Sequence, residues 1–315
     1  MKIKVLTGSV IIVLLILFAF LYLFIPSTIK LSDAQTFGIP TGALTRCLNN
    51  PDKMKEWWPG DKYDGSGTFR YKGITFRFSI FNITEIQRVA IYPDVQDSIV
   101  SYTSLNMLGR DTSLVYWNSS MKTTLSPLNR FNQYIKGTRI KKAINAILAS
   151  LSHYVSDEKN IYGIPITMGK VPDSLFISVK NFYPAYPGVN EIYEGIHSLT
   201  NYINEQKAEQ TNNPICNITP ADSAGFNLIV AIPIKNRIAE TPTKKIKNML
   251  YNGKILVTET TGGDYMINAA LAAMRNYIQD YHLTPVVLPY QSIITNRETV
   301  TDSSKWLTKV CYPIY

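Results

Sequence analysis

Asn201-Tyr202-Ile203-Asn204-Glu205 and Asn276-Tyr277-Ile278-Gln279-Asp280 are near-copies of one another, 75 positions apart. The same displacement sets Ile192 on Ile267, Ile196 on Leu271, Leu199 on Met274, Gly188 on Gly263 and Pro214 on Pro289. The apolar matches recur at spacings of three and four, which predicts an amphipathic helix with one buried stripe in each copy. A strand precedes each helix, at 175–179 and 255–260, and another starts near Pro214 or Pro289. The terminal strands, 228–234 and 308–314, match at a displacement of 80, so the last loop of the second copy is longer by 80 − 75 = 5 residues. Each copy is thus a βαββ unit that buries its helix stripe poorly alone, the usual situation of a repeat. Two such units paired about a pseudo-two-fold axis leave a groove at their junction, a common place for small-molecule sites.

Upstream of the repeats the chain changes character. Residues 29–160 carry 17 Lys+Arg against 11 Asp+Glu, a net of +6, whereas residues 161–315 carry 13 against 12, a net of +1. Part of the excess falls on one predicted helix, through Arg130, Lys136, Arg139, Lys141 and Lys142. That basic face reads as a solvated helix surface or as one drawn to anionic headgroups. It lacks an aromatic-interleaved stripe, so nucleic-acid binding is not expected.

At the N-terminus, Val5 to Ile25 is a run of 21 residues without a charge, unbroken in apolar character from Val10 onward. At about 1.5 Å per residue a helix of this length crosses a hydrocarbon core of about 30 Å. Lys2 and Lys4 precede it, Pro26 ends it, and no A-x-A cleavage pattern follows. This predicts a retained transmembrane anchor over 1–28 rather than a cleaved signal peptide. The leading positive charges place the remainder outside the cytoplasmic membrane of a bacterium, facing the periplasm.

Between anchor and repeats, Ile74, Phe76, Phe78 and Ile80 alternate with polar neighbours as a strand. Further strands are predicted at 99–105 and 113–123. An extended stretch at 28–40 and a helical region at 43–58 come before them. A long helix over 131–155 follows, striped by Ile140, Ile144, Ile147, Leu148, Leu151 and Val155. A curved sheet wrapped round a helix is the expected shape.

This order of elements, with the turn Lys55-Glu56-Trp57-Trp58-Pro59, resembles the SRPBCC (START-like, polyketide-cyclase-like) helix-grip family over residues 29–160. The resemblance implies a cavity for an apolar ligand between sheet and long helix. Trp57 and Trp58 also read as a hydrophobic plug under a loop. The duplicated part, 161–315, with repeats at about 165–236 and 250–315, resembles the GyrI-like (AraC-type effector-binding, multidrug-sensor) domain. That likeness rests on Thr261-Gly262-Gly263-Asp264-Tyr265, Ser304-Lys305-Trp306-Leu307-Thr308 and Tyr312-Pro313-Ile314. It implies a groove for bulky aromatic compounds, with Tyr265, Tyr290 and Trp306 as its ligand-binding aromatics. Lys309 stands where the family commonly has a carboxylate, which favours anionic or neutral ligands over cations.

The fold class is therefore α+β: an anchor, a helix-grip domain and a duplicated βαββ domain. The chain contains no G-x-S-x-G, H-E-x-x-H or P-loop motif. Cys47, Cys216 and Cys311, like His153, His197 and His282, are too scattered for a metal site, and no cofactor is expected. Glu191 and Glu259 are the catalytic candidates if the groove is that of a hydrolase for lipophilic small molecules, as in some GyrI-like proteins. The expected function is small-molecule binding or sensing, with hydrolysis or partner docking as the alternatives.

Overall fold

The computed structural model describes residues 12–13, 16, 18–19, 22–60, 67–80, 86–94, 97–222 and 224–315. The chain divides into two compact units, Met1–Asp157 and Glu158–Tyr315.

Unit 1 opens with strands β1 (Thr28–Lys30) and β2 (Asp33–Phe37), then helices α1 (Thr41–Asn49) and α2 (Pro51–Trp57). The helical region predicted as one piece is two because Asn50 adopts an extended conformation. Its side chain then caps α2, accepting from the N–H groups of Asp52 and Lys53, with Pro51 next in line. Five strands follow: β3 (Thr68–Tyr71), β4 (Ile74–Ile80), β5 (Ile86–Tyr92), β6 (Ile99–Gly109) and β7 (Thr112–Lys122). Each pairs antiparallel with the next, and β1 and β2 both return to β7. Helix α3 (Pro127–Val155) buries the predicted stripe, Ile140, Ile144, Ile147, Leu148 and Leu151. Its Gly137 permits a close approach, since a Cβ there would stand 3.1 Å from Ile29 Cγ2.

Among the described residues of unit 1, where the interior is expected to hold an apolar ligand, aromatic side chains pack on one another. The Trp58 ring centroid lies 4.9 Å from Phe69 and 5.6 Å from Phe76, and Phe76 lies 6.0 Å from Trp117. All four rings are buried. Trp57 Nε1 donates to the Cys47 carbonyl at 3.0 Å and Trp58 Nε1 to the Arg70 carbonyl at 2.9 Å, which satisfies the polar edge of each indole. The tryptophan pair is the plug.

Two members of the expected basic face are not free cations. Lys136 is paired with both Asp94 and Asp97 at 2.7 Å. Arg130 is buried, its Nε donating to the Ile25 carbonyl at 3.0 Å and its guanidinium 4.8 Å from the Tyr22 ring centroid. Among the described residues no helix is long and apolar enough to cross a membrane. The predicted anchor, 1–28, lies largely outside the described residues. Those of its residues that are described, Ile12, Val13, Ile16, Phe18, Ala19 and 22–24, are helical and exposed, and Ile25 is buried.

Unit 2 begins with α4 (Glu158–Tyr162) and β8 (Thr167–Lys170). The first copy follows as β9 (Leu175–Tyr183), α5 (Val189–Glu205), β10 (Ile215–Ala221) and β11 (Gly225–Pro233). After β12 (Lys244–Asn248) comes the second copy, β13 (Lys254–Thr261), α6 (Asp264–Asp280), β14 (Tyr290–Ile293) and β15 (Leu307–Pro313). Both helices are 17 residues long and start after Gly188 and Gly263, in the register that the repeat demands. The isolated bridges Gln210–Ile234 and Pro285–Ile314 correspond in the same way. In the turn before α6, Gly262 has φ +135°, and a Cβ there would meet Met266 Cγ at 2.6 Å, so both geometry and space require glycine.

The eight strands form one antiparallel sheet in the order β12-β9-β11-β10-β14-β15-β13-β8. The seam between copies is β10 against β14, held by two register pairs, Ile215–Ser292 and Cys216–Gln291. On the helix side Ile177, Ile192, Leu199, Leu228 and Val230 form a buried cluster under α5. Gly195 lets α5 settle there, since a Cβ would stand 2.8 Å from Val230 Cγ2. Residues of opposite parity, Phe176, Ile215, Ile255, Tyr290 and Cys311, make a second buried cluster on the other face.

Strands β8 and β12 were not foreseen. β12 leads into the second copy yet pairs with β9 of the first, and β8 leads into the first copy yet pairs with β13 of the second. Each half thus completes its edge with a strand from the other's leading segment. Lys244-Lys245-Ile246-Lys247-Asn248 and Thr167-Met168-Gly169-Lys170 carry no apolar alternation because most of their side chains face solvent. Charged edge strands of this kind also discourage further pairing.

Candidate functional site

The seam strands pair over only two residues before they part, and a hollow opens on each face of the sheet there. The helix-side hollow has a volume of about 380 Å³. Its walls come from both copies: Tyr186, Asn217 and Phe226 from the first, Leu271, Arg275 and Tyr312 from the second. Cys216 and Gln291, the cross-seam pair, also line it. The opposite hollow, about 330 Å³, is walled by Phe176, Ile215, Tyr290 and Cys311, with Lys170, Asp173 and Lys309 at its polar side. The helix-side hollow is the better candidate site. Its lining is aromatic and amide-rich and contains no Asp or Glu, whereas Asp173 in the other is already engaged by Thr211 and Asn212.

Local order explains the placement. Tyr186 sits in the proline-bounded loop that leads to Gly188, and its ring meets Phe226 edge-on at 5.3 Å. Asn217 is held by donating Nδ2 to the Pro289 carbonyl at 2.7 Å across the seam, which leaves its buried Oδ1 without a partner.

Burial governs the titrating groups here. It pushes the Cys216 thiol up to about 12, a rise that Arg297 nearby partly offsets, and the Cys311 thiol up to about 11. Burial likewise raises the phenols of Tyr186 and Tyr290. Neither thiol is an activated nucleophile, because only the thiolate reacts. Each of these pKa values lies higher in the folded than in the unfolded chain. Stability is therefore level below the unfolded thiol range, about 8.5, and falls as pH climbs toward the folded values. The melting temperature of the full chain should stay constant between about pH 6 and 8 and decline from about pH 9 upward. A melting temperature that rose from about pH 9 to 11 would contradict this account of the buried thiols.

The residues singled out in the sequence are distributed unevenly. Tyr290 is buried and contributes to the walls of both hollows. Lys309 lines the sheet-side hollow and pairs across the strands with Glu259 at 3.3 Å, so its charge is compensated. Trp306 lines neither hollow; its Nε1 donates to the Val300 carbonyl at 2.6 Å, and its ring lies 5.1 Å from the Arg297 guanidinium. Tyr265, on the first turn of α6, is 83% exposed and lines neither hollow. Glu191 is the capping-box acid of α5, accepting the Gly188 N–H at 2.8 Å. Glu191 and Glu259 therefore both have structural partners and lie outside the hollow linings. His197 is paired with Glu298 at 2.9 Å. Among the described residues no cluster of His, Cys, Asp or Glu is placed to hold a metal ion.

The sequence reading missed Tyr186, Phe226, Arg275 and Arg297. Phe226 and Arg275 sit on regular elements with nothing to mark them, and Arg297 lies in an irregular loop. The only available signal was the Pro184-Ala185-Tyr186-Pro187 loop before a repeat helix.

No protein-family model matches the sequence, and no curated protein does. Among solved structures, the chain is similar to EcmrR in its DNA complex, at 12% identity and a TM-score of 0.42, over 62% of this chain and 86% of that one. It is similar to SAV2435 bound to tetraphenylphosphonium at 13% identity and a TM-score of 0.32, over 48% and 94%. It is also similar to the di-domain aromatase/cyclase BexL from the BE-7585A biosynthetic pathway, at 8% identity and a TM-score of 0.34, over 91% and 85%. At these scores the likeness is one of outline.

Proposed function

We propose that unit 2 is a small-molecule-binding module whose site is the helix-side hollow at the seam of its two copies. One observation carries this reading: both copies contribute to a hollow of about 380 Å³ walled by Tyr186, Phe226 and Tyr312. Aromatic walls around a few convergent polar groups are the usual makeup of a ligand pocket, and the volume is in the usual range. The carboxylates offered for hydrolysis are committed to a helix cap and an ion pair, so binding is favoured over catalysis.

The second part of the proposal is that residues 1–28 anchor the chain in the cytoplasmic membrane, with both units on its outer side. The exposed Ile12, Val13, Ile16, Leu23 and Phe24 support this, since large apolar side chains gathered in water are costly. The chain should remain in the membrane fraction after alkaline carbonate washing, and release by that washing would refute the anchor.

The binding reading is tested by native mass spectrometry of the full chain after gentle detergent extraction. A retained small molecule should be lost in Leu271→Trp, which fills the hollow, and kept in Tyr265→Ala, whose exposed side chain is not part of the lining. Retention unchanged by Leu271→Trp would sink the assignment of the site.

A further inference from the structure

Arg297 is 2% exposed, yet no carboxylate pairs with it among the described residues. Its Nη2 donates to Thr308 Oγ1 at 2.9 Å and to Gln291 Oε1 at 3.4 Å, both uncharged, and its Nε has no partner at all. The Trp306 ring supplies a cation–π contact and the Arg297 backbone N–H donates to the Tyr193 hydroxyl oxygen at 2.7 Å, but neither neutralises the charge. Two carboxylates stand in the neighbourhood. Glu298, next in sequence, is engaged by His197 at 2.9 Å, and Asp264 opens α6 beside Tyr186. A buried, unneutralised guanidinium is costly unless something restores its balance.

The arginine lies behind the helix-side hollow. Gln291, which it contacts, lines that hollow, as do Cys216 and Tyr186, both of which feel the Arg297 charge and, with the opposite sign, the Asp264 carboxylate. A second cation, Arg275, lines the hollow directly, exposed and outside every ion pair among the described residues. Two guanidinium groups against the one carboxylate of Asp264, with aromatic walls and no Asp or Glu in the lining, make a net electropositive aromatic pocket.

Resting on the binding reading above, we propose that this hollow selects aromatic anions, compounds with a ring for Tyr186, Phe226 and Tyr312 and an acid group for Arg275, held also by the field of the Arg297 charge behind the wall. The selection is by charge: the same ring carrying a cation meets the two guanidinium groups unfavourably, and a neutral one gains only the aromatic contact.

The test is calorimetric titration of the full chain in detergent with three probes of one ring system: 2-naphthoate, 2-naphthalenemethanol and 2-naphthylmethylammonium. Naphthoate should bind at least about tenfold more tightly than either of the others, the scale of a charge-assisted contact. Arg297→Gln and, separately, the exposed Arg275→Gln should each weaken naphthoate by about tenfold and leave naphthalenemethanol unchanged. Arg297→Lys keeps the charge and should retain the preference, and Arg275→Gln keeps the proposal testable should Arg297→Gln fail to fold. Binding of all three probes with equal affinity, or tighter binding of the ammonium, overturns the anion selectivity and leaves the site standing. Binding of none of them overturns the site itself.

Discussion

Trp58→Ala should destabilise the fold by about 3–5 kcal/mol, the cost of removing a buried aromatic side chain. The ring is 7% exposed and sits among Trp57, Phe69, Phe76 and Phe78, each with its centroid within 5.9 Å. The loss combines transfer of the indole to water, a residual void and an orphaned Arg70 carbonyl that had accepted its N–H. Urea denaturation of the full chain followed by tryptophan fluorescence measures it. The variant should also acquire an affinity for benzene-sized solutes that the parent lacks, because a void lined by aromatic rings stays dry. A loss below about 1 kcal/mol would show that Trp58 stands free of its neighbours, as in a vacant ligand cavity. Either outcome therefore distinguishes a packed helix-grip interior from a carrier's.

The second large effect is a matched pair. Leu199 and Met274 occupy equivalent positions of the two copies, and both are 0% exposed. Leu199→Ala and Met274→Ala should each cost about 2–5 kcal/mol, the range for large-to-alanine changes in a core. Because β8 and β12 are exchanged between the halves, both substitutions should shift one common unfolding transition of unit 2. Calorimetry that resolved separate melting of the two copies, with each variant moving only its own, would contradict a shared sheet.

The helices and the long strands were legible because burial imposes a period on them. Gly188 and Gly263, together with the Ile192 and Ile267 stripes, placed α5 and α6 in register, and the matching bridges at Gln210 and Pro285 repeat that agreement. The edge strands were not legible, because Lys245 and Lys247 face solvent and Ile246 alone is buried, too few apolar positions to show such a period. In unit 1 the element order was readable, but whether its interior is hollow depends on how four rings interlock, which spacing does not encode.

The candidate site was harder to read for the same reason. Tyr290 and Lys309 come from the resemblance, the one at a position where the family has an aromatic and the other where it commonly has a carboxylate, and both line the sheet-side hollow. Tyr265 and Trp306 come from the same resemblance, and the structure gives one to solvent and the other to Arg297. Arg297 itself is defined by what it lacks, a countercharge, and a missing contact has no sequence signature.

The crossing of β8 and β12 has a topological consequence. If a protease nicked the exposed connector around Asn236–Thr243, the upstream fragment would still hold β13 through β8, and the downstream fragment would still hold β9 through β12. Each piece clasps the other at its far border, so severing the covalent tie does not free them. A lone copy, by contrast, has an open margin that only a second molecule can close, which makes the tandem gene a monomeric substitute for a strand-trading dimer.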